Sequence, residues 1–184
     1  MTVTVMLADG FEEIEALTPV DVLRRGGVTV RTCSITEERT VTGAHGIPVL
    51  ADTTLSALAD GEEMILLPGG MPGTLNLKNC RPLRERILAH HARGGLLAAI
   101  CAAPTVLGEM GLLRDKEAVC FPGMEEGLFC ARISKEGVVT DGQITTSRGA
   151  GTAFDFALRL LSLLKDKETA RELGRTMCYE RTMP

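Results

Sequence analysis

Short aliphatic segments alternate with segments of helical periodicity along this chain. Residues 3–8, 64–67 and 96–100 are apolar at nearly every position, whereas residues 81–93 repeat apolar side chains at helical spacing. Strands that are apolar on both faces belong in a sheet covered on both sides, and their alternation with helices favours parallel pairing. The pattern therefore predicts one α/β domain, spanning all 184 residues, whose ligands bind at the carboxyl ends of the strands.

The composition argues against two classes of protein. The formal net charge is −4, whereas nucleic-acid binding requires clustered Lys and Arg side chains. No apolar run reaches the roughly 20 residues of a membrane span. The opening residues M-T-V-T-V-M-L-A-D lack the basic region of a signal peptide and lead directly into a strand pattern. We therefore expect a cytoplasmic protein that binds neither nucleic acid nor membrane.

The chain has six cysteines but no C-x-x-C pair. A chain of this length without a secretion signal is expected to keep its thiols reduced, and most of them are expected to be buried and inert. No His, Cys or Asp spacing has the form of a structural zinc site. The sequence therefore predicts neither a bound metal nor a cofactor.

One cysteine has an unusual sequence environment. Cys101 lies between an apolar strand and a helical segment, and small residues, Ala99 and Ala103, stand two positions away on either side. This spacing is typical of a nucleophile elbow, where small neighbours relieve crowding at a sharp turn, and Pro104 suits the first turn of the helix. A helix N-terminus there would lower the pKa of the thiol below roughly 8.5. The alternative is a small core residue at the end of a strand.

Two further segments are candidates for the same site. Gly69 and Gly70 end a buried strand, where glycine permits close approach of a ligand and leaves backbone amides free as oxyanion donors. Glu12, Glu13 and Glu15 open the first helical segment, and we interpret the first two as complements to the helix dipole. Glu15 stands between apolar neighbours, so we expect a buried, protonated carboxyl that hydrogen-bonds to the thiol or to its sulfinate.

Four motifs taken together resemble those of the ThiJ/PfpI superfamily, in the branch of the Parkinson-disease protein deglycase and its bacterial relatives. They are F-E-E-I-E-A-L-T-P-V-D-V-L-R-R-G-G, L-L-P-G-G, A-A-I-C-A-A-P-T-V-L and T-S-R-G-A-G-T-A-F-D-F-A-L. The resemblance implies a flavodoxin-like three-layer fold of the class I glutamine amidotransferase type, and a homodimer. It also implies a set of site residues: the nucleophile Cys101, the carboxyl Glu15, the backbone donors Gly69, Gly70 and Ala102, and Arg148 near the site.

The sequence departs from the family pattern in two places. The protease-like branch carries a His directly after the nucleophile, but Ala102 stands there, so a peptidase is not expected. Deglycase-type relatives often carry a His upstream of T-S-R-G, and counting back places Cys130 there. We expect His90 and His91 to be surface residues, and His45 to reach the site only if its hairpin folds over it. Proton transfer is then left to Glu15 or water.

Two functions are compatible with these residues. The first is cofactor-free chemistry on a small aldehyde or a glycated substrate, of the glyoxalase or deglycase type, in which Cys101 adds to the carbonyl. The second is a redox sensor or chaperone-like stress protein whose Cys101 is oxidised to a sulfinate with little turnover. An older family label, thiamine-related biosynthesis or amidase-type hydrolysis, finds no specific support in these residues.

Overall fold

The computed structural model describes residues 1–130 and 132–179. Its centre is a seven-stranded sheet in which all neighbouring strands are parallel except one antiparallel pair at an edge. From that edge, and numbered in chain order, the strands are β10 (Val138–Asp141), β11 (Ile144–Ser147), β7 (Leu96–Ile100), β6 (Met64–Leu67), β1 (Thr2–Leu7), β2 (Thr29–Ser34) and β5 (Thr53–Thr54). Two small ladders lie outside the sheet: β3 (Thr40–Thr42) with β4 (Pro48–Leu50), and β8 (Glu117–Ala118) with β9 (Arg132–Ile133).

Among residues 1–130 and 132–179, six α-helices cover the two faces of the sheet. Those on one face are α1 (Glu13–Arg25), α5 (Ala153–Leu164) and α6 (Lys167–Thr176), and those on the other are α2 (Gly73–Asn79), α3 (Arg81–Ala92) and α4 (Pro104–Glu109). The strands supply both cores because alternate side chains point to opposite faces: in β1, Val5 and Leu7 join one cluster and Met6 the other. The predicted three-layer α/β sandwich with a mostly parallel sheet is confirmed.

The predicted elements agree with the structure most closely in the core. Strands β6 and β7 begin and end at the predicted residues. Helix α1 continues through Pro19, which lies inside it. Helix α4 ends at Glu109, before Gly111 takes a positive φ of 76°. In the described residues, no helix is long and apolar enough to cross a membrane.

A buried ionic cluster contradicts one expectation about the histidines. His90 was expected at the surface but is only 2% exposed, and its Nε2 lies 3.0 Å from the carbonyl oxygen of Leu96. The carboxylate of Glu62 is buried beside it and accepts two hydrogen bonds from Arg86, at 2.8 and 2.9 Å. The prediction was wrong because helical periodicity does not show that Gly95 leaves room for the His90 ring.

Candidate active site

Cys101 lies on a sharp turn between the end of β7 and the start of α4. Its φ is +65°, in the left-handed region that residues with a side chain rarely adopt. Its N–H donates to the carbonyl of Ser147 at the end of β11, which fixes the strained turn to the neighbouring strand. The predicted elbow geometry is confirmed, and strain of this kind is common at functional sites.

The carboxyl of Glu15 lies against the thiol. Glu15 belongs to the first turn of α1 and is 1% exposed, as its apolar neighbours predicted. Its Oε2 accepts a hydrogen bond from the N–H of Gly69 at 3.0 Å, and a second comes from the N–H of Ala150. Its side chain is also hydrogen-bonded to that of Cys101. The carboxyl is therefore held in one position by backbone donors that follow two different strands.

The two glycines after β6 allow this close approach. A Cβ at Gly69 would lie 2.7 Å from both the Cβ of Cys101 and the Oε2 of Glu15, closer than real Cβ contacts. Gly70 has a φ of +91°, and a Cβ there would lie 2.4 Å from the backbone nitrogen of Glu12. Side chains at these two positions would therefore separate the thiol from its carboxyl or distort the turn.

The backbone amides at the site have separate tasks. Those of Gly70 and Ala102 donate to the sulfur of Cys101. The amide of Gly69, expected to serve with Gly70, donates to the carboxyl of Glu15 instead. The pocket around the sulfur thus offers two backbone donors to a negative charge, and a third donor orients the acid.

The thiol and the carboxyl titrate as a coupled pair. Burial raises the pKa of Glu15 to about 7, although hydrogen bonds from Cys101 and Gly69 oppose the rise. Burial, and then the charge of Glu15, raise the pKa of Cys101 to about 12 against the amides of Ala102 and Gly70. The expectation that a helix dipole lowers the pKa of this thiol is wrong, because loss of water and a neighbouring acid outweigh it. Above neutral pH the pair therefore keeps one proton and carries one negative charge.

This arrangement supplies the parts of a nucleophilic site. The order of the two pKa values places the proton of the singly charged pair on the sulfur, and its transfer to Glu15 gives the thiolate, which two amides stabilise. The sulfur is then a nucleophile, Glu15 a proton donor and acceptor, and the amides of Gly70 and Ala102 donors to a developing oxyanion. The geometry is compatible with addition to a carbonyl and with oxidation of the sulfur.

Two other predicted residues form no hydrogen bond with Cys101 in the described part of the chain. Arg148 directly follows β11 and is exposed; within the described residues its guanidinium has no hydrogen bond or ion pair, and its N–H donates to the carbonyl of Gly137. Cys130 packs against the core on the other face of the sheet from the one that Cys101 contacts. Phe121, not Cys130, adjoins the elbow, because its N–H donates to the carbonyl of Cys101 at 2.7 Å.

His45 folds back toward the site but not onto the thiol. The hairpin of β3 and β4 brings its Nδ1 to 2.8 Å from Glu13 and 3.6 Å from Glu12, and no hydrogen bond to Cys101 is present in the described chain. A hydrogen bond to Glu13 raises the pKa of His45. Glu13 is 6% exposed and anchors this hairpin, a role that the dipole interpretation missed. The ligand atoms that Glu12, Glu13 and His45 could offer to a metal ion lie within 4.8 Å of one another. In this structure the imidazole of His45 pairs with the two carboxylates instead.

The sequence reasoning missed two contributors to the site. The backbone amide of Ala150 orients Glu15, and the backbone amide of Phe121 donates to the carbonyl of Cys101. The glycines on either side of Ala150 were a usable signal, since they permit close backbone approach. Phe121 carries no comparable sequence signal.

Comparison with known proteins places this site in a family. The model of the DJ-1/PfpI family matches residues 1–163. Protein DJ-1 homolog B of Arabidopsis thaliana is 43% identical over 175 residues, which are 94% of this chain but 40% of that protein, so the chain spans less than half of that relative. Glutathione-independent glyoxalase DJR-1.2 of Caenorhabditis elegans is 33% identical over 171 residues, 91% of this chain and 90% of that one.

A solved structure agrees with these matches. The oxidised DJ-1 of Toxoplasma gondii superposes with a TM-score of 0.94 at 35% identity, covering 97% of this chain and 98% of that one. The central parallel sheet with helices on both sides is the flavodoxin-like fold that the motifs implied. The resemblance found in the sequence is thereby confirmed, and the chain belongs to the DJ-1/PfpI family.

Proposed function

We propose that this protein is a cofactor-independent enzyme of the glyoxalase or deglycase type, which acts on small reactive carbonyl compounds through Cys101. The observation that carries the proposal is the pairing of the Cys101 thiol with the buried carboxyl of Glu15, next to two backbone amides that donate to the sulfur. A nucleophile, a proton carrier and an oxyanion pocket are the groups that isomerisation of an α-oxoaldehyde requires.

The first step is addition. The thiolate of Cys101 forms a bond to the aldehyde carbon of methylglyoxal, and the carbonyl electron pair moves onto oxygen. The amides of Gly70 and Ala102, which donate to the sulfur in the free protein, lie where they can stabilise this oxyanion. The proton on Glu15 then passes to the oxygen, which gives a neutral hemithioacetal and leaves Glu15 as a carboxylate ready to act as a base.

The second step moves a proton between neighbouring carbons. Glu15 removes the proton from the former aldehyde carbon, which gives an enediolate, and returns it to the adjacent carbon. The hydroxyl proton of the first carbon passes to the neighbouring oxygen, which yields a lactyl thioester and leaves Glu15 as a carboxylate. Water then attacks the thioester carbonyl, the carbon–sulfur bond breaks, and lactate leaves with the thiol restored. The pKa of Glu15, raised to about 7 by burial, suits a group that must give and take a proton near neutral pH.

A named relative supports this choice over other carbonyl chemistry. The Caenorhabditis elegans protein that is 33% identical to this chain is called a glutathione-independent glyoxalase. A reaction that does not use glutathione needs its own thiol, and Cys101 provides one. Deglycation of a glycated substrate would begin with the same sulfur and the same carboxyl.

Lactate formation from methylglyoxal tests the proposal. The wild-type chain should form lactate without added glutathione, and Cys101→Ser should lose the activity by a factor of about 1,000 or more, since removal of a nucleophile has effects of that order. Cys178→Ser is the matched control because Cys178 is an exposed cysteine of the same chain. Equal rates in the wild type and Cys101→Ser would refute the proposal.

The site also favours a second candidate function, selective oxidation of Cys101. A thiolate that attacks hydrogen peroxide becomes a sulfenate and releases water, and a second peroxide converts the sulfenate to a sulfinate and a second water. The protonated carboxyl of Glu15 and the amides of Gly70 and Ala102 would hydrogen-bond to the sulfinate oxygens. The structural relative from Toxoplasma gondii is described as oxidised.

Peptide mapping after mild peroxide treatment tests this second function. Oxidation should concentrate on Cys101, while the buried thiols of Cys33 and Cys120, which have no backbone amide donors in the described chain to offset their burial, should stay reduced. Oxidation spread evenly over the six cysteines would count against a sensor.

We further propose that the chain acts as a homodimer through the outer face of α1. Ile14 is 53% exposed and Phe154 37% exposed, and both line one shallow apolar groove with Leu17. Size-exclusion chromatography with light scattering should give a dimer that Ile14→Glu dissociates. Leu88→Glu, at an apolar position on α3 that is 45% exposed, should leave the dimer intact. A monomeric wild type would refute the proposal.

A further inference from the structure

Two half-exposed apolar side chains adjoin the segments that hold the sulfur. Phe121 is 49% exposed, and its N–H donates to the carbonyl of Cys101 at 2.7 Å. Met71 is also 49% exposed and directly follows Gly70, whose amide donates to the sulfur. Neither residue belongs to the catalytic groups described above. Both leave apolar surface in water next to a site that must receive a substrate.

The ring of Phe121 also lies beside Gly149, on the carboxyl side of the site. A Cβ at Gly149 would lie 3.5 Å from the Cδ2 of Phe121, an ordinary van der Waals distance, so the ring packs beside this glycine. The next residue, Ala150, donates its amide to Glu15. Phe121 is therefore connected to the thiol through its backbone and to the carboxyl through the segment that its ring contacts.

The exposed side chains of Phe121 and Met71 form an apolar wall beside the site, which offers dispersion contacts and no hydrogen bonds. A substituent that covers the exposed ring removes apolar surface from water on both partners, whereas a hydroxyl-bearing substituent would lose hydrogen bonds to water there. We propose that Phe121 is a specificity-determining residue, and that the favoured substrates are α-oxoaldehydes with an aryl or other apolar substituent. The reaction type rests on the proposed function, but the preference for apolar substituents is a property of the surface around Cys101.

A comparison of two aldehydes measures the preference during turnover. The quantity compared is the ratio of kcat/KM for phenylglyoxal to kcat/KM for methylglyoxal. Phe121→Ala should lower this ratio about tenfold from its wild-type value, a factor typical of a lost apolar contact. Phe121→Leu should retain most of the ratio because it keeps an apolar side chain. Phe129→Ala is the matched control, since Phe129 is a more exposed phenylalanine of the same loop.

A second measurement does not depend on turnover. N-phenylmaleimide and N-methylmaleimide add to a thiol by the same reaction and differ only in their substituent. The rate ratio of the two reagents at Cys101, followed by peptide mass spectrometry, is compared with the ratio for glutathione in solution. We expect the wild type, Phe121→Leu and Phe129→Ala to favour the phenyl reagent more than glutathione does, and Phe121→Ala to lose the excess.

The two measurements separate this inference from the proposed function. A wild-type maleimide ratio no higher than that of glutathione, or a ratio that Phe121→Ala leaves unchanged, would overturn the role of Phe121. Loss of the maleimide preference in Phe121→Ala would support the apolar wall. If neither aldehyde then gave lactate or mandelate, the glyoxalase reaction would be refuted while the apolar wall would stand.

Discussion

Replacement of Glu15 by Gln should change how the stability of this protein depends on pH. In the folded chain burial raises the pKa of Glu15 from its ordinary 4.5 to about 7, so the folded state binds one more proton than the unfolded state between these values. Each pH unit in that interval lowers the free energy of unfolding by about 1.4 kcal/mol. The wild type should therefore lose about 3 kcal/mol from this one group as the pH rises through the interval.

Gln cannot ionise, so the variant should not show that loss. The carboxamide has nearly the shape of the carboxylic acid, and it can still accept from the amide of Gly69 and donate to the sulfur of Cys101. The difference in unfolding free energy, variant minus wild type, should rise by about 2.5 kcal/mol between pH 5 and pH 8. The sign is set by the raised pKa: the stabilisation is complete at low pH and disappears as the pH passes the folded value.

Urea denaturation followed by circular dichroism, repeated at each half pH unit, gives this difference directly. Glu126→Gln makes the same chemical change at an exposed position and serves as the matched control. A difference that stays constant to within about 0.5 kcal/mol across the range would show that the carboxyl ionises equally easily in both states. The conclusion that Cys101 and Glu15 share one proton would then be wrong.

Three other substitutions test separate parts of the structure. Gly69→Ala should destabilise the fold by about 2 kcal/mol and slow alkylation of the elbow cysteine, because its Cβ overlaps the site; urea denaturation and maleimide kinetics check this, and an unchanged alkylation rate would contradict it. Glu13→Gln should lower the pKa of His45, since a hydrogen bond to that carboxylate raises it; a nuclear magnetic resonance titration with an unmoved midpoint would show that the bond is absent in solution. Arg86→Ala should destabilise the chain by about 3 kcal/mol by leaving the buried carboxylate of Glu62 unpaired, and a loss below about 1 kcal/mol in urea would refute this pairing.

The features that the sequence predicted best are those set by residues close together in the chain. Uninterrupted apolar strands such as residues 64–67 and 96–100 could be located to the residue, because both faces of each are covered by helices. The elbow at Cys101 was also predictable, since small neighbours and a following proline are local features. Helix α2 was missed because Leu75 and Leu77 alternate as in a strand, and only one of them is buried.

The electrostatics of the site could not be predicted in the same way. A helix start after Cys101 is visible in the sequence, and it suggested a lowered pKa. Burial of the sulfur and the approach of Glu15 are consequences of tertiary packing, and they act in the opposite direction. The same limit applies to Glu13, which a hairpin distant in the chain covers, and to His90, whose ring packs against Gly95 and Leu96 beyond the end of its helix.

The hydrogen bond from Gly69 to Glu15 joins residues 54 positions apart, and the amide of Ala150 completes the set from near the other end of the chain. During synthesis from the N-terminus, a ribosome must release β11 and the turn after it before the acid acquires its last donor. Selective labelling of Cys101 should therefore report how far assembly has gone: a nascent chain truncated before residue 150 should show five thiols of similar reactivity, and the 184-residue chain should show one thiol that reacts differently from the rest.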